Sequence, residues 1–450
     1  MEKQYNLTEG IIWKKMIIFF LPILAGNLFQ QLYTVVDAVI IGQFAGKDAL
    51  ASIDAIYSLI KLPVNFFVGL STGATIIISQ YLGAGDSRKL SIAVHTAVAF
   101  AFTGGLILSV GGILLSPICL HLLKVPNDIY AYTLSYARIY FAGMVMSMTY
   151  NIGAGILRAV GDSKTPFYFL VAASATNVLL DLLFVGLFQW HTAGAAFATV
   201  LSQLLSVVLV IGALRRTRLP CRIEWKNIRF HRGALHRIFL LGLPGGIQSS
   251  LYPVANMMIQ SNINSFGINS IAAWAICGKL DFLIWLIVDS FGAAISTFTA
   301  QNFGARLYGR IRSGARVCIG MSLVPVLAIA AVLYLACAPL GRLFVNDPEV
   351  IELSASIMRF LAPLYVLYIA GEVLSGTIRG TGETFKPMLL TLLGTCACRI
   401  FWILFVVPLR RTLKMVILSY PVSWIITSIL FIVFYQIYKR KKLSLQCPAT

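Results

Sequence analysis

The chain has 450 residues, of which 58% are hydrophobic and 12% charged, with a mean hydropathy of +0.83 and a net charge of +19. An ordinary soluble domain carries about 25% charged residues, so this chain lacks the polar surface that water would require and reads as a polytopic membrane protein. The basic excess suggests nucleic acid only if it is not already spent on membrane orientation.

Apolar runs of the roughly 20 residues needed to cross a hydrocarbon core predict twelve membrane helices. They lie near 15–43, 51–82, 91–123, 128–156, 165–188, 194–214, 238–265, 270–302, 315–340, 349–378, 387–408 and 413–438. With both termini on one side, that side collects 25 of the 36 Lys and Arg, from Lys3, Lys14 and Lys15 through the short loops to the tail. The opposite side has six (Lys47, Lys124, Arg342, Arg410, Arg411, Lys414), and five lie within spans. The positive-inside rule places both termini in the cytoplasm. The basic residues orient a membrane protein and leave no role for nucleic acid.

The first apolar run follows Lys14 and Lys15 and is far longer than a signal core of about 7–15 residues, so it is expected to be a retained span. Within it, TVVDAVIIGQ carries Asp37, the one charged residue between Met16 and Ala45. Gln30, Tyr33 and Thr34 precede it by seven, four and three residues, forming one polar stripe on the helix. In the fifth span, ATNVLLDLLF places Asn177 and Asp181 four residues apart, hence on one face. A carboxylate in an apolar site resists ionisation, and a second carboxylate nearby opposes double ionisation. Such a pair can hold a proton in one state and release it in another.

After the sixth span comes RRTRLPCRIEWKNIRFHRGALHR, residues 215–237, with eight Lys and Arg and one acid. It reads as a cytoplasmic linker between a six-helix half over 1–214 and a second over 238–450. The second half repeats the first. GILRAVGDSKTPF around Arg158 and GTIRGTGETFKPM around Arg379 match at Gly155 and Gly376, Arg158 and Arg379, Gly161 and Gly382, and Pro166 and Pro387, all 221 residues apart. Arg138 and Arg359, Gln80 and Gln301, and Gly83-Ala84 and Gly304-Ala305 share that offset, and Leu21-Pro22 precedes Leu243-Pro244 by 222. Parallel repeats of this kind predict a transporter with its substrate cavity between the halves. Pro22, Pro63, Pro244 and Pro253, with the pairs Gly104-Gly105 and Gly111-Gly112, mark expected bends or close helix packing.

The acids do not repeat. Asp37 falls on Ile259, Asn177 on Cys398 and Asp181 on Trp402, which suggests a cation site confined to the first half. Gln248, Tyr252 and Asn256, four apart on the seventh span, are the expected cavity residues of the second half. That half also has Lys279, Asp281, Asp289, Glu372 and Arg399. Lys279 and Glu372 can form a buried ion pair, or Glu372 can face the cavity and attract cationic substrates. The eight cysteines (Cys119, Cys221, Cys277, Cys318, Cys337, Cys396, Cys398, Cys447) show no C-x-x-C and no His at ligand spacing. They read as small apolar packing residues.

Two six-span halves, the VVDAVIIGQFAG run, ISQYLGAGD after the second span, and the paired L/I-R-x-x-G-D/E-S/T loops followed by proline resemble the multidrug and toxic compound extrusion (MATE) family. The resemblance runs from about Met16 to Tyr438 and is closest to the prokaryotic branch with two membrane aspartates in the N-terminal half. It implies an all-α, twelve-helix fold in two pseudo-symmetric halves. It also implies a cation-coupling set of Asp37, Asn177, Asp181 and Thr199, with Tyr136 from the fourth span.

An enzyme is disfavoured because the chain has no His cluster, nucleophile elbow or phosphate loop. A lipid-linked oligosaccharide flippase shares the wider architecture but would want several cations in its cavity to hold a diphosphate. A secondary antiporter exporting amphipathic, often cationic compounds by alternating access fits both the acids and the resemblance. The expected protein is a monomer in the cytoplasmic membrane of a prokaryote. Its partners are lipid and small amphipathic substrates. It carries no cofactor, couples to H⁺ or Na⁺, and lines its cavity with Gln30, Tyr33, Thr34, Gln248, Tyr252, Asn256 and Glu372.

Overall fold

A computed structural model describes residues 6–443; Lys3 and Cys447 lie outside them. Among the described residues there is no strand. In chain order the helices are α1 (Ile12–Ile40), α2 (Lys47–Gly83), α3 (Ser87–Leu122), α4 (Asn127–Ala142), α5 (Met144–Ala159), α6 (Lys164–Asp181) and α7 (His191–Arg216). After the linker follow α8 (Arg232–Asn264), α9 (Ile268–Gly304), α10 (Tyr308–Gly341), α11 (Pro348–Leu361), α12 (Val366–Gly380), α13 (Phe385–Thr391), α14 (Cys398–Phe401), α15 (Leu413–Ile417) and α16 (Ser419–Tyr438). Five-to-six-residue π-helical segments extend α1 (Ile41–Ala45) and α6 (Leu182–Leu187) and flank α14 (Leu392–Ala397 and Trp402–Val406).

Ten described helical stretches are long and apolar enough to cross a membrane, and an eleventh span is the bent pair Pro348–Leu364 and Val366–Gly380, which meet at 49°. The remaining span is also broken. The stretch predicted over 128–156 is α4 and α5, sixteen residues each, interrupted at Gly143. The breaks therefore fall at Gly143 and around Ala362–Leu364, whereas Pro22 and Pro63 lie inside continuous helices. In these long apolar helices, neighbouring turns and packed side chains compensate the hydrogen bond that each proline removes.

The chain divides into two compact units. One comprises Met1–Asn6 with Leu21–Gly246, the other Leu7–Phe20 with Ile247–Thr450. In the first, α2, α4, α5 and α7 enclose a core of Ile56, Ile60, Tyr136, Phe141, Met148 and Val185. In the second, α9 packs on α10, α11 and α12, and α12 packs on α16. The N-terminal segment belongs to the second unit: the Leu7 amide donates to Gln301 Oε1 (3.1 Å), and Phe20 stacks on Phe291 at 3.8 Å.

The repeat extends to backbone geometry. Helices α2 and α9 begin and end 221 residues apart, and each follows a glycine in the left-handed region, Gly46 (φ 86°) and Gly267 (φ 94°). A side chain there would clash with its own backbone, so the sharp entry into both helices needs glycine. Gly161 and Gly382 form a second matched pair, while Gly85 is matched by Arg306 at φ 59°. Membrane helices gain little from apolar burial against lipid and associate through close packing of small residues. Two contacts illustrate this: a Cβ at Gly376 would lie 2.6 Å from the Gly292 carbonyl oxygen, and one at Gly73 would press on that of Ile238.

The linker is folded onto its own unit. His95 is 2% exposed; its Nδ1 faces the Ser91 carbonyl (2.7 Å) and its Nε2 accepts the Glu224 amide N–H (3.0 Å). This interior histidine therefore pins the linker to α3. Cys221, also in the linker, is buried, and burial pushes its thiol up to about 12.

Candidate cation-coupling site

Asp37 lies four residues before the π-helical segment of α1, and Asp181 immediately before that of α6. The two segments pack on each other and on α7, and α4 packs on α7 as well. A π turn shifts helical register by one residue and often marks a functional site. Here the paired π turns bring two helices together where each carries a carboxylate.

Asp181 is fully buried, Asn177 is 2% exposed and Asp37 is half-buried. Asp37 and Asp181 lie within electrostatic reach of each other. Ionised carboxylates offer only acceptors, so this approach satisfies neither without a proton or a cation between them. Asp37 Oδ1, both oxygens of Asp181, and Oδ1 and Nδ2 of Asn177 are buried with no hydrogen-bond partner among the described residues. Buried polar groups are nearly always paired, and the desolvation penalty for one that is not is about 1–3 kcal/mol. Five such atoms on three side chains make a site whose oxygen-rich donor set suits a proton or a hard cation.

Tyrosines surround it. Tyr33 lies within electrostatic reach of Asp37, Asp181 and Tyr57, and Tyr136 within reach of Asp37, Asp181, Tyr33 and Tyr140. The rings of Tyr136 and Tyr140 stack at 5.8 Å, and Gln203 lies near Tyr140. Sequence reasoning missed Tyr57 and Gln203. Gln203 carried a signal, being a lone amide one turn after Thr199 in an apolar helix. Thr199 itself donates to the Ala195 carbonyl of its own helix (3.0 Å). Gln30 and Thr34 are exposed and bonded to each other, the Thr34 hydroxyl donating to the Gln30 carbonyl at 2.9 Å.

The second unit gathers its predicted residues differently. Glu372 accepts from Arg379 Nη2 (2.6 Å) and from the Tyr368 hydroxyl (3.3 Å). Its ion pair is thus with Arg379, seven residues on, and not with Lys279, whose ammonium sits over the Phe344 ring at 5.4 Å. Asp289 lies within reach of both Glu372 and Arg379. Tyr252 and Asn256 converge on Arg399, and Gln248 is half-buried one turn before Tyr252. The loop motif has a structural role: Asp162 accepts the Thr165 amide (3.0 Å) and hydroxyl (2.6 Å), closing the turn that starts α6.

The MatE family model matches residues 22–183 and 244–404, one copy in each half. The chain belongs to the MatE family, that of multidrug and toxic compound extrusion transporters. It is 26% identical to the probable multidrug resistance protein YoeA of Bacillus subtilis, covering 97% of this chain and 96% of that one. It is 28% identical to the probable multidrug resistance protein YpnP of the same organism, covering 89% and 88%. A MOP superfamily transporter from Pyrococcus furiosus has the same fold, with a TM-score of 0.90 over 99% of both chains at 21% identity. The MATE chain is accordingly a multi-pass membrane transporter, and its twelve-helix architecture is that of the family.

Proposed function

We propose that this MATE transporter is a cation-coupled antiporter that exports small amphipathic compounds, and that Asp37, Asn177 and Asp181 hold the coupling H⁺ or Na⁺. The observation that carries the reading is the cluster of five buried, unpartnered polar atoms on these three side chains. A permanent salt bridge would fix the charge and give no coupling. A pair of acids with no protein partner changes charge only by exchanging a proton or a cation, and that exchange biases a two-state conformational equilibrium. One charge crossing 100 mV supplies about 2.3 kcal/mol, enough for a roughly fifty-fold concentration ratio at about 1.4 kcal/mol per tenfold.

Within this proposal Tyr136 and Tyr33 frame the carboxylates, and Thr199 offers its remaining lone pairs from the neighbouring helix. Gln30, Thr34 and Gln248 contact substrate. The six-helix halves 1–214 and 238–450 flank a cytoplasmic linker, 215–237, and both termini are cytoplasmic. Proteoliposomes loaded with a fluorescent efflux substrate test the coupling. Imposed separately, a proton gradient and a sodium gradient should differ in effect, one driving export and the other not. Export that ignores both gradients would overturn the reading.

A further inference from the structure

We infer that the buried guanidinium of Arg399 in the second unit is a binding site for an oxyanion group, such as a carboxylate, carried by the exported compound. The inference rests on the chain's being an exporter and narrows its substrates to amphipathic compounds that bear a negative group.

Arg399 is 0% exposed, yet no acid pairs with it among the described residues. Its Nε donates to Ser423 Oγ (3.0 Å) and its Nη1 to Asn256 Oδ1 (2.7 Å). The Tyr420 and Tyr252 rings lie 4.3 and 5.5 Å from the guanidinium carbon. All four partners are neutral, and Nη2 has none. The nearby acids are engaged elsewhere: Asp281 accepts from the Tyr365 hydroxyl (2.7 Å), and Glu372 is held by Arg379. Burying a charge is costly even after relaxation, and cation–π contacts return only part of that cost. A structural arginine would be expected to have a carboxylate or several carbonyls; this one keeps a donor free.

Its place in the fold adds a second argument. Arg399 sits on α14, a four-residue α-helical piece between two π-helical segments. At the repeat offset of 221 it falls on Val178, between Asn177 and Asp181. The second unit thus carries a buried cation within the stretch that corresponds to residues 177–181 of the first. Among charged side chains, the unpartnered buried atoms are carboxylate acceptors in the first unit and guanidinium donors in the second. Beside Ser423, Trp424 presents a further buried N–H with no partner. Tyr252 and Asn256, which both contact the guanidinium, are half-buried. The fork of a guanidinium matches a carboxylate in bidentate geometry.

The test uses the full chain in lipid nanodiscs and two probes with the same ring system, 1-naphthaleneacetate and the 1-naphthylmethylammonium ion. Binding is measured by titration calorimetry, with melting temperature as the check on folding. The wild type should bind the anion at least ten-fold more tightly than Arg399→Gln does, and Arg399→Lys should fall between them. Asn256→Asp supplies a carboxylate at the Arg399 Nη1 contact, so it should block the anionic probe while raising the melting temperature. This keeps the test decisive if Arg399→Gln does not fold. Anion binding unchanged in Asn256→Asp, or in folded Arg399→Gln, overturns the inference, as does a wild type that binds both probes equally. Asp37→Asn should retain anion binding. If that variant also exports like wild type, the coupling proposal fails and the Arg399 site stands; if it is dead while Arg399→Gln binds the anion normally, the reverse holds.

Discussion

At the scale of single residues, the two units place buried charge where helices are wound irregularly. Asp37→Asn and Asp181→Asn keep side-chain shape and remove the titrating, cation-binding oxygen pair. Each should reduce gradient-driven efflux in proteoliposomes to the background of empty vesicles. Because each also relieves an unpaired buried charge, the melting temperature should stay level or rise. Asn177→Ala leaves both acids in place and should weaken coupling without abolishing it. Wild-type efflux in Asp37→Asn would mean that the carboxylate only glues helices together. The acids and the four-residue spacing of Asn177 and Asp181 were legible from sequence, because a charge in an apolar run stands out alone. Tyr57 and Gln203 were not, because a tyrosine or a glutamine in a span is unremarkable until a carboxylate is known to face it.

At the scale of helices, glycine positions set how closely elements pack. A methyl group at Gly376 would press on the Gly292 carbonyl, both in the second unit. Gly376→Ala should therefore destabilise by about 1–3 kcal/mol, the usual cost of overpacking. Gly212, with open space around the Cβ position, should accept alanine with a change under about 0.5 kcal/mol. Thermal unfolding in one detergent decides between them, and equal melting temperatures would refute the close-contact reading. Span existence was legible in the sequence, since hydropathy accumulates over some twenty residues. Span continuity was less so. The interruption at Gly143 and the bend before Val366 depend on neighbouring helices, and the same residue types elsewhere, such as Pro22 and Pro63, sit in unbroken helices.

At the scale of the whole molecule, the proposed orientation makes a labelling prediction. A cysteine at Asn227, in the linker, should react with an impermeant maleimide only from the cytoplasmic side, and one at Lys124 only from outside. Cys221 should stay silent in the Asn227 experiment: its thiol, pushed up to about 12 by burial, remains protonated at pH 7–8, and only the thiolate is nucleophilic. Raising the pH to 9 should leave it unlabelled, whereas unfolding should expose it. Labelling of both engineered sites from one side would exclude the topology. Net charge bears on this scale too, because basic residues in short loops hold a membrane chain in one orientation.

The sequence alone determined the membrane class, the twelve spans, the duplicated halves and the lack of second-half counterparts to Asp37 and Asp181. These are local or periodic quantities, and a bilayer leaves a backbone few ways to satisfy its hydrogen bonds. Only the tertiary structure decided which side chains share a neighbourhood. It paired Glu372 with Arg379 rather than with Lys279. It joined two π turns of α1 and α6 beneath one pair of carboxylates. It also brought Asn256 onto Arg399 across 143 residues of chain. Such pairings depend on which helix faces meet, and helical periodicity names a face without naming its neighbour.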